Sequence, residues 1–201
     1  MLTMHLTQLD AKSLMEEPSP EARGLLASKI AKDYCDGNFN TVEADLATDI
    51  FRILSRDVEI HVRHALAEEL AHSPDVPHDI IRRLAGDEPE VAAPVLEFSS
   101  VLTEDDLVAI VKSTREAAKL CAVARRETVS GTLAGLLLES RQESVAKELF
   151  RNNGATLEER LLSRSWDFIA SAPGLLETLV HRGGLPLAVA EKIYAVVSDD
   201  L

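Results

Sequence analysis

Three side chains able to ligate a metal, His61, His64 and Glu68, stand at i, i+3 and i+7, a spacing that places them on one face of a helix. Glu69 and His72 would extend the set, and imidazole with carboxylate is a donor combination of zinc sites. The run lacks the His-Glu-x-x-His arrangement of zinc hydrolases, and no second ligand cluster accompanies it. A solvated helix face laced with ion pairs accounts for the same residues, and no metal or cofactor is expected. His78-Asp79 has the residue types of a metal-dependent phosphohydrolase. It follows Pro77 at a helix start, however, where an aspartate is favoured by the helix dipole alone. A lone pair without a full site does not make an enzyme, and none is expected. Cys35 and Cys121 fall in helical stretches far apart and read as small buried hydrophobes.

A different chemistry, recognition by aligned donors, arises from Ser99, Arg126 and Asn153, which lie 27 residues apart in turn. Phe98, Arg125 and Asn152 keep the same step. In a stacked repeat, equivalent positions line one ridge, so Ser99, Arg126 and Asn153 would form a ledge at the ends of successive second helices. Such a ledge suits a carboxylate-bearing partner segment, with Arg126 as anchor. The same groups also suit capping of helix ends and bridging between repeats through free carbonyls.

The elements that must position these residues follow from that step. VAAPVL at Val91–Leu96, AKLCAV at Ala118–Val123 and VAKELF at Val145–Phe150 begin 27 residues apart. Ile80, Leu107 and Ala134 keep the step in the segments before them. Two apolar helical stripes per unit at a fixed period are the signature of stacked helix pairs. Ile50, Phe51 and Leu54 precede Ile80, Ile81 and Leu84 by 30, the extra residues falling in the loop around Ser73-Pro74-Asp75. Val62, Leu66 and Leu70 fall on one helical face. Thr103 before Asp105 and Asp106 predicts a helix start, and Asn152-Asn153-Gly154 a stop in the left-handed conformation. Pro20 behind Ser19 opens an earlier helix with Leu25, Leu26, Ile30 and Tyr34 on one stripe, ending near Gly37. Leu2, Leu6 and Leu9 suggest a short helix before it, with Ser13 starting a second turn. Beyond Gly154, Leu157, Leu161 and Leu162 suggest one helix, and Leu175, Leu176 and Leu179 another. Val189 and Ile193 behind Leu185-Pro186 echo Ile80 and Leu84 behind Val76-Pro77. Gly131 and Gly135, four apart, would admit a close neighbouring helix.

Of 201 residues, 46% are apolar and only 4% aromatic, a balance that favours helices around a sizeable core. Acidic residues outnumber basic ones 34 to 21, a net charge of −13. That charge opposes nucleic-acid backbones and anionic membranes, which are recognised through clustered Lys and Arg. With no leader pattern and no apolar run of membrane-spanning length, a cytoplasmic protein is expected.

The phrases VRHALAEELA, LAGDEPEVAAPVLEFSSVLTEDDL, AVARRETVS, VAKELFRNNGA and HRGGLPLAVAEKI resemble the bacterial family called domain of unknown function 2336. They run in order over most of the chain, from about Ile50 to Val197. The resemblance implies a helical fold with HEAT-like repeats and brings no activity, substrate or cofactor. It also implies a Ser, an Arg and an Asn after three successive helices, which fall here on Ser99 or Ser100, Arg125 or Arg126, and Asn152 or Asn153.

The expected fold is all-α, a right-handed α–α superhelix of HEAT-like helix-pair repeats. Residues 1–42 would form an N-terminal helical cap, 43–153 the regular repeats and 154–201 degenerate repeats, one continuous domain or part of a longer protein. The expected function is a non-enzymatic protein-interaction scaffold. Its second helices would offer Arg63, Ser99, Lys119, Arg126, Lys147 and Asn153 to a protein partner of acidic character. Self-association through Trp166 or the end near Leu201 is a further expectation. The rivals are a HEAT-like nucleic-acid-binding domain and a metal-dependent enzyme around His61 and His64.

Overall fold

The computed structural model describes residues 19–182 and 184–199. The expectations at Leu2, Leu6, Leu9, Ser13 and Leu201 therefore lie outside the described residues. Every named element among those residues is helical, and the chain divides into two compact units, 1–106 and 107–201. The division falls inside a helix, Glu104–Ser113.

In the first unit, α1 (Pro20–Cys35), α3 (Ile60–Leu70) and α5 (Pro89–Phe98) form a row, with α3 packed on both of the others. The helices α2 (Thr41–Leu54) and α4 (His78–Ala85) fill the alternate places, each in contact with the helices before and after it in sequence. This is the arrangement expected of helix pairs, first helix then second. Val62, Leu66 and Leu70 are completely buried, as the 3.6-residue period requires. The exposure pattern over residues 51–60 recurs position by position over 81–90, so the step of 30 is structural as well as sequential.

The expected helix start at Thr103 is present, and a second cap stands at Asn40, which carried no such expectation. Asn40 caps α2 in a full capping box, its side chain accepting from the Val42 and Glu43 amides while Glu43 accepts from the Asn40 amide. Thr103 and Asp106 exchange the same pair of hydrogen bonds at the start of α6 (Glu104–Ser113). One stripe differs from expectation. On α1 the buried face is Gly24, Ala27, Ile30 and Ala31, and Leu25 is 75% exposed. Small residues let α1 lie close to α3, with the His61 ring 3.4 Å from where a Gly24 Cβ would sit.

Two arginine–aspartate forks tie successive pairs together. Arg23 on α1 donates to Asp57 through Nε at 2.7 Å and Nη2 at 2.9 Å, Asp57 lying in the turn between α2 and α3. Arg63, at the same fourth position of α3, donates to Asp87 at 2.6 and 2.8 Å and to the Asp57 carbonyl at 2.6 Å. Both aspartates also accept from backbone amides beyond them, so the turns themselves are held.

In the second unit α7 (Ala117–Ala124), α9 (Glu143–Arg151) and α12 (Pro173–Val180) form the equivalent row, α9 packing on both of the others, with α8 (Gly131–Glu139) against α7 and α9. The degenerate stretch contains α12 and adds α10 (Glu159–Arg164), α11 (Trp166–Ala170) and α13 (Leu187–Asp199). Leu162, Leu175, Leu179, Val189 and Ile193 are buried there, on the predicted stripes.

The stop at Asn152-Asn153-Gly154 works differently from expectation. Neither asparagine nor Gly154 adopts a left-handed φ. Instead Asn152 is extended, and its side chain donates to the Ala124 and Arg126 carbonyls at 2.8 and 2.6 Å while accepting from the Gly154 amide. Gly154 is required by crowding: a Cβ there would lie 1.8 Å from the Glu127 carbonyl oxygen. That close approach is made by a short parallel bridge between Val129 and Ala155. Gly131 and Gly135 meet Glu158 and Leu161 only at ordinary contact distance, 3.5 Å from a built Cβ.

Candidate functional site: an arginine groove on the first helices

On an amphipathic helix whose inward positions are Ile50, Phe51 and Leu54, position 52 must face out. The same holds for position 82 on α4, with Ile80, Ile81 and Leu84 inward. Both positions carry arginine, one repeat step apart. Arg56 in the turn after α2 and Arg83 in the last turn of α4 join them. Cations are favourable at these places because helix C-termini carry partial negative charge. The four arginines, with His78, Asp79 and Asp87, line an open groove of about 680 Å³ within the first unit.

The carboxylates in and beside this groove are already matched. Asp79 accepts from Arg52 at 3.1 Å, and Arg52 also reaches Asp49 at 2.9 Å. Asp87 is held by Arg63, which approaches from the second helix. Asp106 accepts from the Thr103 hydroxyl at 2.6 Å and pairs with His78 Nε2 at 2.7 Å. Burial pushes Asp106 up, but the Thr103 and His78 contacts outweigh it and bring the carboxyl down to about 2. Arg82 stands 3.8 Å from Asp106 with its side chain 69% exposed. Among the described residues the side chains of Arg56 and Arg83 make no hydrogen bond or ion pair, and both residues are exposed. The groove thus holds a surplus of positive charge on a chain whose net charge is −13.

The residues singled out from sequence sit elsewhere. Arg63 is committed to Asp87 and Asp57, its side chain only 13% exposed. Ser99 is completely buried, its hydroxyl accepting from the Val101 amide. Lys119 pairs with Glu116 at 2.9 Å and is largely covered, and Lys147 pairs with Glu143 at 2.6 Å against Gly174. Arg126 is half-buried, and burial pushes its guanidinium below its ordinary value. Asn153 is exposed and borders a hollow of about 370 Å³ beside Glu177 and His181. The repeat-bridging asparagine is its neighbour Asn152.

After α12 the same bridging task falls to Arg182, which donates to the carbonyls of Leu149, Phe150, Asn152 and Ala155. Arg182 lacked the 27-residue step that would have marked it, because the α10–α11 stretch lengthens that unit.

Among the histidines, His64 Nδ1 lies 3.0 Å from the Glu90 carbonyl and Nε2 3.4 Å from Glu68, while His61 packs on Gly24. Among the described residues no group of three or more His, Cys, Asp or Glu gathers as a metal would require. His78 and Asp79 diverge, one to Asp106 and the other to Arg52. Cys121 is buried as expected, but Cys35 is exposed, its thiol directed at the Glu69 carbonyl. Trp166 is half-buried with Lys192 5.7 Å from its ring, and Ile169, one helical turn on, supplies the buried contact. No described helix is long and apolar enough to cross a membrane.

The groove was legible in one respect: Arg52 and Arg82 share the step that relates Ile50 to Ile80. The second helices, expected to form the working face, do not line it.

No curated protein and no solved structure matches the chain. A family model does match, over residues 91–201, from the first buried residue of α5 onward. That start is later than the resemblance from about Ile50 suggested, although the helix pairs themselves begin upstream of it. Over more than half its length, and in the helix pairs that carry the match, the chain belongs to the family described as an uncharacterised protein conserved in bacteria, DUF2336.

Proposed function

We propose that this chain is a non-enzymatic protein-interaction scaffold and that its working face in the first unit is the groove of Arg52, Arg56, Arg82 and Arg83. The observation that carries the reading is the surplus of guanidinium groups there. Arg56 and Arg83 have no partner among the described residues, while the neighbouring carboxylates are each engaged. Unpaired arginines projecting into one groove suit an acidic segment of a partner, since each fork can take a carboxylate through two parallel hydrogen bonds.

Binding, not catalysis, fits the polar groups present. Ser55 is buried and donates to the Arg52 carbonyl, and His78 is turned to Asp106, so the lining pairs no nucleophile with a base. An extended nucleic acid or membrane surface would meet the net −13 charge of the rest of the molecule, whereas a short acidic segment need face only the groove. The free thiols of Cys35 and Cys121 fit a reducing compartment such as the cytoplasm.

The test is capture of partners from a bacterial lysate on the wild-type chain and on an Arg56→Glu/Arg83→Glu variant, together with titration of an Asp/Glu-rich peptide. Loss of both the partner and the peptide in a variant that melts like wild type is the expected result. Equal retention by the two forms would remove the groove from the function.

A further inference from the structure

The charge count in the groove exceeds what a single carboxylate would use. Asp79 is met by Arg52, Asp87 by Arg63 from the second helix, and Asp106 by Thr103 and His78. Arg56 and Arg83 remain unpartnered among the described residues, and Arg82 has only the 3.8 Å approach to Asp106. A carboxylate brings one negative charge and two oxygens, which one guanidinium fork satisfies. A phosphate monoester brings nearly two charges and three acceptor oxygens near neutral pH, which two or three forks satisfy together.

On the reading that this groove takes an acidic partner segment, we infer that the segment's anchor is a phosphorylated side chain held by Arg56 and Arg83, with Arg82 beside them. The source is a protein chain and not a lipid or nucleic acid, because each of those presents an extended anionic surface to a molecule of net charge −13. A single phosphorylated residue in a flexible segment carries its charge into the groove and leaves little elsewhere to repel. The open groove, about 680 Å³, has room for the phosphate and the residue that bears it.

The test is isothermal titration of the full chain with one peptide in three forms, carrying phosphoserine, glutamate or serine at the centre. Inorganic phosphate serves as a further ligand, and vesicles of phosphatidylcholine containing a phosphoinositide are tested by co-sedimentation. The expected result is at least tenfold tighter binding of the phosphoserine form than the glutamate form. That preference should vanish in Arg56→Ala/Arg83→Ala and survive in Lys32→Ala, which removes an exposed cation of the first unit that does not line the groove. Equal binding of the glutamate and phosphoserine forms, both lost in the double variant, would overturn the phosphate assignment and leave the acidic groove standing. No binding of either form, or binding indifferent to Arg56 and Arg83, would overturn both. Vesicle binding that matches the phosphopeptide and depends on the same arginines would overturn the peptide source. Binding of inorganic phosphate as tight as the phosphopeptide would overturn the recognition of a partner chain.

Discussion

The two units solve the same problem with different chemistry. Each must tie one helix pair to the next and satisfy the carbonyls that a helix end leaves free. The first unit uses charge pairs: Arg23 with Asp57 and Arg63 with Asp87 span neighbouring pairs from the starts of the second helices. The second unit works from the other end. Asn152 and Arg182, just beyond the second helices, reach back to carbonyls at the end of the preceding one. A bridge that needs an aspartate depends on pH and salt, and one made to carbonyls does not depend on a titrating acceptor. The comparison also sorts the arginines. Arg23, Arg63 and Arg182 are committed to architecture, and Arg56 and Arg83 are not.

The bridge region of the second unit should be the more brittle under substitution. Gly154→Ala is expected to be the most damaging single change, because a Cβ 1.8 Å from the Glu127 carbonyl cannot be accommodated without moving backbone. A loss of more than about 4 kcal/mol, or failure to fold, is expected. A thermal melt followed by Trp166 fluorescence checks it, since that is the only tryptophan in the chain and lies in the second unit. A near-normal melting temperature would mean that Val129 and Ala155 are not held together as the structure has them.

In the first unit, Arg63→Ala removes three hydrogen bonds and takes the guanidinium from the Asp87 carboxylate, whose side chain is only 14% exposed. The expected cost is about 3 kcal/mol. Arg63→Lys should recover only a small part of it, because an ammonium cannot form the fork. Full rescue by lysine, measured by urea denaturation, would show that charge alone and not geometry sets this bridge. In the second unit, Asn152→Ala leaves the Ala124 and Arg126 carbonyls and the Gly154 amide without their partner, for roughly 2 kcal/mol. Asn152→Asp should be no better, since a carboxylate cannot donate to the two carbonyls.

What could be read in advance followed from periodicity. Val62, Leu66 and Leu70 are buried because the helical period leaves them no other face, and Leu175, Leu179, Val189 and Ile193 follow the same rule in the degenerate stretch. Thr103 was legible as a cap because its chemistry is local. Leu25 misled because α1 approaches α3 through small residues, so Gly24 and Ala27 occupy the face that the stripe of large residues claimed. For the ladder of Ser99, Arg126 and Asn153 the step left the register open by one residue, and the bridging side chain is Asn152, while the hydroxyl of Ser99 is enclosed. Pairing of arginines was not legible at all. Arg23 meets Asp57 and Arg63 meets Asp87 across unequal sequence gaps set by loop lengths, so nothing in the spacing separates a committed arginine from a free one.

Acid should separate the units more gently than mutation does. The Asp57 carboxyl is held below its ordinary value by the Arg23 fork, and Asp106 lies at about 2. For a group whose folded value is depressed, the folded state binds fewer protons than the unfolded one. Its stabilising contribution is complete above the ordinary carboxylate range and is lost as pH falls through the folded value. Between pH 4 and pH 2 the first unit should therefore lose protection before the second. Amide exchange in α1 and α3 should quicken while α7 and α9 still hold. Simultaneous loss in both units would mean that the aspartate forks contribute nothing that the carbonyl bridges lack.

The smallest effect is expected where the function is proposed to reside. Arg56 and Arg83 are exposed and their side chains make no hydrogen bond or ion pair among the described residues, so Arg56→Ala and Arg83→Ala should each change stability by no more than about 0.5 kcal/mol. The sign for Arg83 should be slightly unfavourable, because it removes a cation from the negative end of α4. The acidic-ligand binding proposed for the groove should nevertheless fall sharply in the double variant. Arg63→Ala should show the reverse pattern wherever enough folded protein remains to measure, with stability lost and ligand affinity per folded molecule kept. A large stability loss from Arg56 or Arg83 would place them with the architectural arginines and erase the distinction on which the groove rests. A residue maintained for binding has no structural role to mask its removal, so these two positions separate recognition from folding most cleanly.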